Sequence, residues 1–147
     1  MNQAVGRETW LGRCLGRIAR ALDRHAEALR VAAALLGLVL AAIVVFSTLS
    51  PLALRPMLTS DADVERFLAF AGVAGCFVFA APKRWLLILG LAVVLGAGLE
   101  AAQNLRPDRH GLWHDLDWKA AGACFGTALA LASHALLRRL ARPERRD

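Results

Sequence analysis

From Val31 to about Ser50 the chain is almost uninterrupted Ala, Leu, Val and Ile. That is about the 20 residues a helix needs to cross the hydrocarbon core of a bilayer. An Arg-rich segment precedes this run, and no clean small-residue cleavage site follows it, so a retained anchor is expected and not a removed leader. Composition agrees. Of 147 residues 57% are hydrophobic, and the mean hydropathy is +0.46, too apolar for an ordinary soluble fold of one domain's length.

Three further apolar runs follow. Phe67 to Ala81 is somewhat short, so its helix is expected to begin near Asp63; Trp85 to Leu99 is the third run, with Glu100 to Leu105 as its last turns; Lys119 to Leu137 is the fourth. Pro51 and Pro56 break the chain after the first run, Pro82-Lys83-Arg84 makes a tight basic turn, and Pro107 and Gly111 mark the last loop. Ahead of all four, 7–30 places Trp10, Leu11, Cys14, Leu15, Ile18, Leu22 and Leu29 at helical spacing, with Arg7, Arg13, Arg17, Arg20 and Arg24 among the rest. A basic amphipathic helix beside a membrane segment lies in the headgroup plane; a solvated cytoplasmic helix is the competing reading. The expected fold is an all-α membrane protein: an interfacial helix over 1–30, four transmembrane helices over 31–137, and a basic tail over 138–147.

The net charge of +6 and isoelectric point near 10.5 suit anionic headgroups better than nucleic acid. The arginines cluster at the ends of apolar runs, and with no Tyr and few aromatics there is no stacking platform for bases. Cys14, Cys76 and Cys124 form no CxxC pair and read as small hydrophobes. The basic amino-terminal segment, the Lys83–Arg84 turn and the basic tail all belong in the cytoplasm by the positive-inside rule. Four crossings with both ends inside satisfy that rule. The acidic loops then share the extracytoplasmic side.

Between the last two runs lies EAAQNLRPDRHGLWHDLDWK, the densest mixture of charges, His and amides between the chain's basic ends. Glu100 stands roughly 24 Å along its helix from Arg84, near the outer edge of the hydrocarbon. Glu100 and Gln103 share a helix face, with Gly96 one turn deeper. Asp115, Lys119, Gly122 and Gly126 share another, and the two glycines make GxxxG, a spacing for close helix packing. The expected site is a polar pocket lined by Arg66, Glu100, Gln103, Arg109, Asp115 and Lys119. In the competing reading these charges only neutralise one another and tie the bundle together at the water line. His110 and His114 are weak candidates for a metal; no metal or cofactor is expected. Nothing has the pattern of a nucleophilic enzyme, and His134 reads as a packed or snorkelling residue.

The chain resembles the VanZ-like family of small bacterial membrane proteins over roughly residues 31–137. The likeness rests on FSTLSPLALRP after the first run, an acidic stretch leading into ERFLAF, Glu100-Ala-Ala-Gln103, PDRHG, and Asp115-Leu-Asp-Trp-Lys119-Ala-Ala-Gly122. Glu100, Gln103, Arg109, Asp115 and Gly122 match the family pattern. Arg66 stands where the family has His, Lys119 where it has Asn, and the family's Asp-Lys pair is not reproduced. The resemblance implies a cell-envelope protein, with a link to resistance against the glycopeptide teicoplanin.

The leading expectation is recognition of an anionic lipid-linked or peptidoglycan-related envelope component at the extracytoplasmic surface. Arg66, Arg109 and Lys119 would bind the anion, while Glu100, Gln103 and Asp115 orient them and hydrogen-bond the headgroup. One alternative is an enzyme acting on a lipid-linked sugar phosphate with Glu100 or Asp115 as general base. Another is an accessory subunit of an envelope polysaccharide assembly complex. Oligomeric state is not legible.

Overall fold

The structure, a computed structural model, describes residues 25–50, 61–104 and 113–141. Arg109, His110 and all but the last six residues of the expected interfacial helix lie outside these. Within them the chain is helical throughout.

Helix α1 spans Ala26–Leu49. It starts ahead of the expected boundary at Val31, so residues 26–30 belong to the same helix as the apolar run. The reason is local: Ala26, Glu27, Ala28, Leu29 and Arg30 are all good helix formers with nothing to interrupt them. It stops where Ser50 turns extended, with φ −73° and ψ 154°, the conformation forced on a residue that precedes proline.

Helix α2 spans Ala62–Ala80, capped by Asp61, whose Oδ1 accepts the Asp63 backbone N–H at 2.9 Å. A 3-10 turn over Pro82–Arg84 joins it to α3, Trp85–Asn104. Helix α4 spans Trp113–Ala141. It begins six residues ahead of the expected apolar run, and so carries Asp115 in its first turn, where a carboxylate suits the helix dipole.

The helices alternate in direction, and α2 packs against all three others. Its inward residues Phe70, Val73, Ala74 and Val78 are therefore the core, joined by Val44, Ala92, Leu99 and Ala123. The tightest seam runs between α2 and α4, which lie parallel. A Cβ on Gly122 would overlap the Phe67 carbonyl oxygen and fall 2.9 Å from its carbon. A Cβ on Gly126 would overlap the Ala71 carbonyl in the same way, 2.8 Å from its carbon. Positions 67 and 71 match 122 and 126 turn for turn. Only glycine lets the two backbones meet there.

Outside that core the surface is apolar. Leu35, Val39, Ile43 and Phe46 of α1, Leu86, Leu91 and Val94 of α3, and Leu129 and Leu136 of α4 are all exposed. In water so much contiguous apolar surface would be a binding or aggregation face; among lipid chains it is ordinary. Three helical stretches, Ala26–Leu49, Pro82–Gln103 and His114–Leu140, are long and apolar enough to cross a membrane. Helix α2 is as long as a crossing requires, but Asp63, Glu65 and Arg66 in its first turns set it apart in composition.

Candidate functional site

Charged side chains converge where α2 and α4 begin and α3 ends. Asp115 and Lys119 sit one turn apart on α4, and each meets a different neighbour. Arg66 of α2 donates from one guanidinium nitrogen to Asp115 Oδ2 at 2.8 Å, and from the other to Asp63 Oδ1 at 2.6 Å. One turn deeper, Lys119 donates to Glu100 Oε1 of α3. The side chains of Arg66 and Asp115 are 21% and 13% exposed, those of Lys119 and Glu100 5% and 10%. The result is a two-rung ladder, wetter at the top and dry below.

The lower rung is shaped by apolar neighbours. The ammonium of Lys119 lies 5.9 Å from the Phe70 ring centre, at the reach of a cation–π contact. Gly96 lies against the lysine stem, where a Cβ would make ordinary contacts, 3.6 Å from Lys119 Cδ and 3.4 Å from Phe70 Cε1. Phe70 thus floors the polar cluster. Beyond it toward the bundle's middle lies a wholly apolar recess of about 200 Å³, lined by Ala41, Val73, Phe77, Ile88, Leu91 and Leu95 among others. That recess offers no group for polar chemistry.

Glu100 uses only half of its carboxylate. Oε2 is buried and, among the described residues, has no hydrogen-bond partner. An ionised carboxylate can accept about four hydrogen bonds, and an unsatisfied buried acceptor is costly. Gln103, one turn nearer the bundle end, does not turn to Glu100; its Nε2 donates to the Thr48 carbonyl of α1 at 3.5 Å, the outer limit of a hydrogen bond.

At the rim, His114 Nε2 is 3.2 Å from Asp63 Oδ2 and 3.0 Å from Trp118 Nε1. An indole nitrogen only donates, so the imidazole nitrogen either accepts from Trp118 or carries a proton toward Asp63. It cannot do both at once.

Of the expected site residues, the structure brings Arg66, Glu100, Asp115 and Lys119 together, and places Gln103 of α3 beside them, against α1. Arg109 and His110 lie outside the described residues. Among the described residues no group of three His, Cys, Asp or Glu side chains could hold a metal. Arg66 and Lys119 are each held by a carboxylate, an arrangement common to cations oriented for an anion and to charges that only neutralise one another. Asp63, Phe70 and Trp118 also belong to the cluster although the sequence reading did not single them out. Asp63 was legible, since it lies three residues before Arg66 on one helix. Phe70 carried no such signal.

At the opposite end His134 caps the bundle. Its ring stacks on Phe79, with centres 4.8 Å apart, and its Nε2 donates to the Phe79 carbonyl at 2.9 Å. That carbonyl is one of the last in α2 and has no partner within the helix.

Comparisons with family models, with curated proteins and with solved structures return no match for this chain.

Proposed function

We propose that this chain is a VanZ-like protein of the bacterial inner membrane that crosses four times, both termini cytoplasmic, and recognises an envelope component at its outer end. The ligand is the headgroup of an anionic lipid-linked or peptidoglycan-related molecule. The observation that carries this reading is the buried Glu100–Lys119 pair with its unclaimed carboxylate oxygen, beneath the Arg66–Asp115 bridge. Ionisable groups at membrane depth are expensive and mark ligand or ion sites more often than not.

Three features support the placement. Helix α2 rises about 28 Å, close to the hydrocarbon thickness, and its charged residues fall at the polar end with the ladder. The exposed bases Arg30, Lys83, Arg84, Arg138 and Arg139 fall at the other end, as the positive-inside rule asks of a cytoplasmic face. Partly exposed Trp85 and Trp118 stand at opposite ends, like the aromatic belts of a membrane protein. In this reading Arg66, Arg109 and Lys119 supply the charge toward the anionic ligand, Arg66 and Lys119 from within their carboxylate pairs. The link to glycopeptide resistance rests on the resemblance alone.

The test is mass spectrometry of envelope lipids that co-purify with the wild type and with Glu100→Ala, before and after incubation with fresh lipid extract. A lipid enriched on wild type alone and left unchanged supports recognition. Indistinguishable lipid profiles with no product would sink it.

The same free oxygen favours one second reading. A carboxylate with one oxygen fixed by Lys119 and the other unclaimed has the layout of a general base. That reading requires a chemically altered headgroup, made by wild type and not by Glu100→Ala. The accessory-subunit alternative predicts that Gly122→Leu does more harm than Arg109→Ala; Gly122 packs on α2 of the same chain.

A further inference from the structure

We infer that Glu100 Oε2 is a subsite for a hydroxyl donor, so that the ligand carries a hydroxyl-bearing headgroup and not a bare phosphate. This deepens the envelope-ligand reading and rests on it.

The argument is one of donors and acceptors. Among the described residues at this end of the bundle, both cations already face carboxylates, Arg66 with Asp63 and Asp115, Lys119 with Glu100. The unsatisfied atom is an acceptor. Glu100 is 8% exposed, and Oε2 has neither solvent contact nor partner. A phosphodiester, or a fully ionised phosphomonoester, brings only further acceptors and negative charge to that oxygen. A sugar or glycerol hydroxyl brings the missing donor, and a bond to a charged acceptor is stronger than one between neutral groups. Lys119 holds Oε1 and Phe70 closes the floor, so Oε2 is fixed in place before any ligand arrives. Gln103, the same-face neighbour one turn nearer the end, makes the weakest tie in the cluster, its 3.5 Å contact with Thr48.

The experiment uses the full chain in lauryldimethylamine oxide, a detergent without hydroxyl donors. It is titrated with dioleoyl phosphatidylglycerol, dioleoyl phosphatidic acid or dioleoyl phosphatidylcholine, and bound lipid is counted by native mass spectrometry. The titration is run at about pH 9, where phosphatidic acid is largely a dianion without a P–OH; it then carries more negative charge than phosphatidylglycerol and no headgroup hydroxyl, so simple charge attraction cannot favour the latter. The expected result is about a tenfold preference of wild type for phosphatidylglycerol over phosphatidic acid. That preference disappears in Glu100→Gln. Because Glu100→Gln leaves a buried ammonium unpaired, the double variant Glu100→Met with Lys119→Met is measured beside it. That change removes both charges at similar volume and keeps the helices packed.

Equal binding of the two anionic lipids by wild type, or a preference for phosphatidic acid, overturns the hydroxyl subsite and leaves the anion reading standing. So does a phosphatidylglycerol preference that survives in both Glu100 variants. If neither anionic lipid binds better than phosphatidylcholine, the envelope-ligand reading falls together with the subsite.

Discussion

Lys119 and Glu100 are a buried ion pair that joins α4 to α3, and only one of the two carboxylate oxygens takes part in it. The pair follows from helical repeat. Asp115 is one turn toward the water and takes Arg66, so Lys119 is left facing inward onto the end of α3.

Breaking this pair from one side is expected to cost more than removing it. Glu100→Ala strands an ammonium in a dry site, and the loss of one partner from a buried pair costs about 3–5 kcal/mol. Replacing both residues by Met is expected to restore most of that stability. Thermal melts of the purified protein followed by circular dichroism check the order. A double variant no better than the single one would show that the pair itself is stabilising.

The glycine seam gives a sharper contrast. Gly122→Leu must push α4 off the Phe67 carbonyl, and overpacking of this kind costs about 1–3 kcal/mol or more. Gly98→Leu, on an open face of α3 with nothing within 4 Å of a Cβ, is expected to be near neutral in the same melt. Equal effects at the two sites would contradict the close approach of α2 and α4.

The upper rung is partly wet and worth less. A double-mutant cycle between Arg66→Met and Asp115→Leu is expected to give a coupling of about 1 kcal/mol, and less as salt is raised. The same cycle between Arg66 and the more exposed Asp63 is expected to give a smaller value. Coupling of several kcal/mol, unmoved by salt, would mean that this rung is as dry as the one below.

His134→Leu removes the donor to the Phe79 carbonyl and the ring stack while keeping an apolar side chain. The expected loss is about 1–3 kcal/mol, from the unsatisfied carbonyl and the lost contact between rings. Hydrogen exchange at the end of α2 should rise with it. Unchanged exchange there would place the value of His134 elsewhere.

The charged cluster was half legible. Alternation of apolar runs and basic turns was enough to bring Arg66, Glu100, Asp115 and Lys119 to one end, because successive antiparallel helices leave few choices. Which carboxylate meets which cation is not legible from spacing. The structure pairs Arg66 with Asp63 and Asp115, and Lys119 with Glu100. Asp63 was readable through its three-residue spacing to Arg66. Phe70 looks like any core aromatic until the lysine ammonium is found over it.

The sequence by itself determined where helices could form and stop, because those limits are local: Asp61 as cap, prolines after Ser50 and Ala81, and apolar runs of membrane length. It also determined that polar groups would collect at the ends of those runs. Only the tertiary structure decided which charge meets which, since Lys119 reaches Glu100 across 19 positions and His114 reaches Asp63 across 51. Ion pairing falls off over a few ångströms, and separations that short depend on how helices rotate and approach. At Gly122 and Gly126 the missing side chains set that approach, and with it the partner of every charge one turn above.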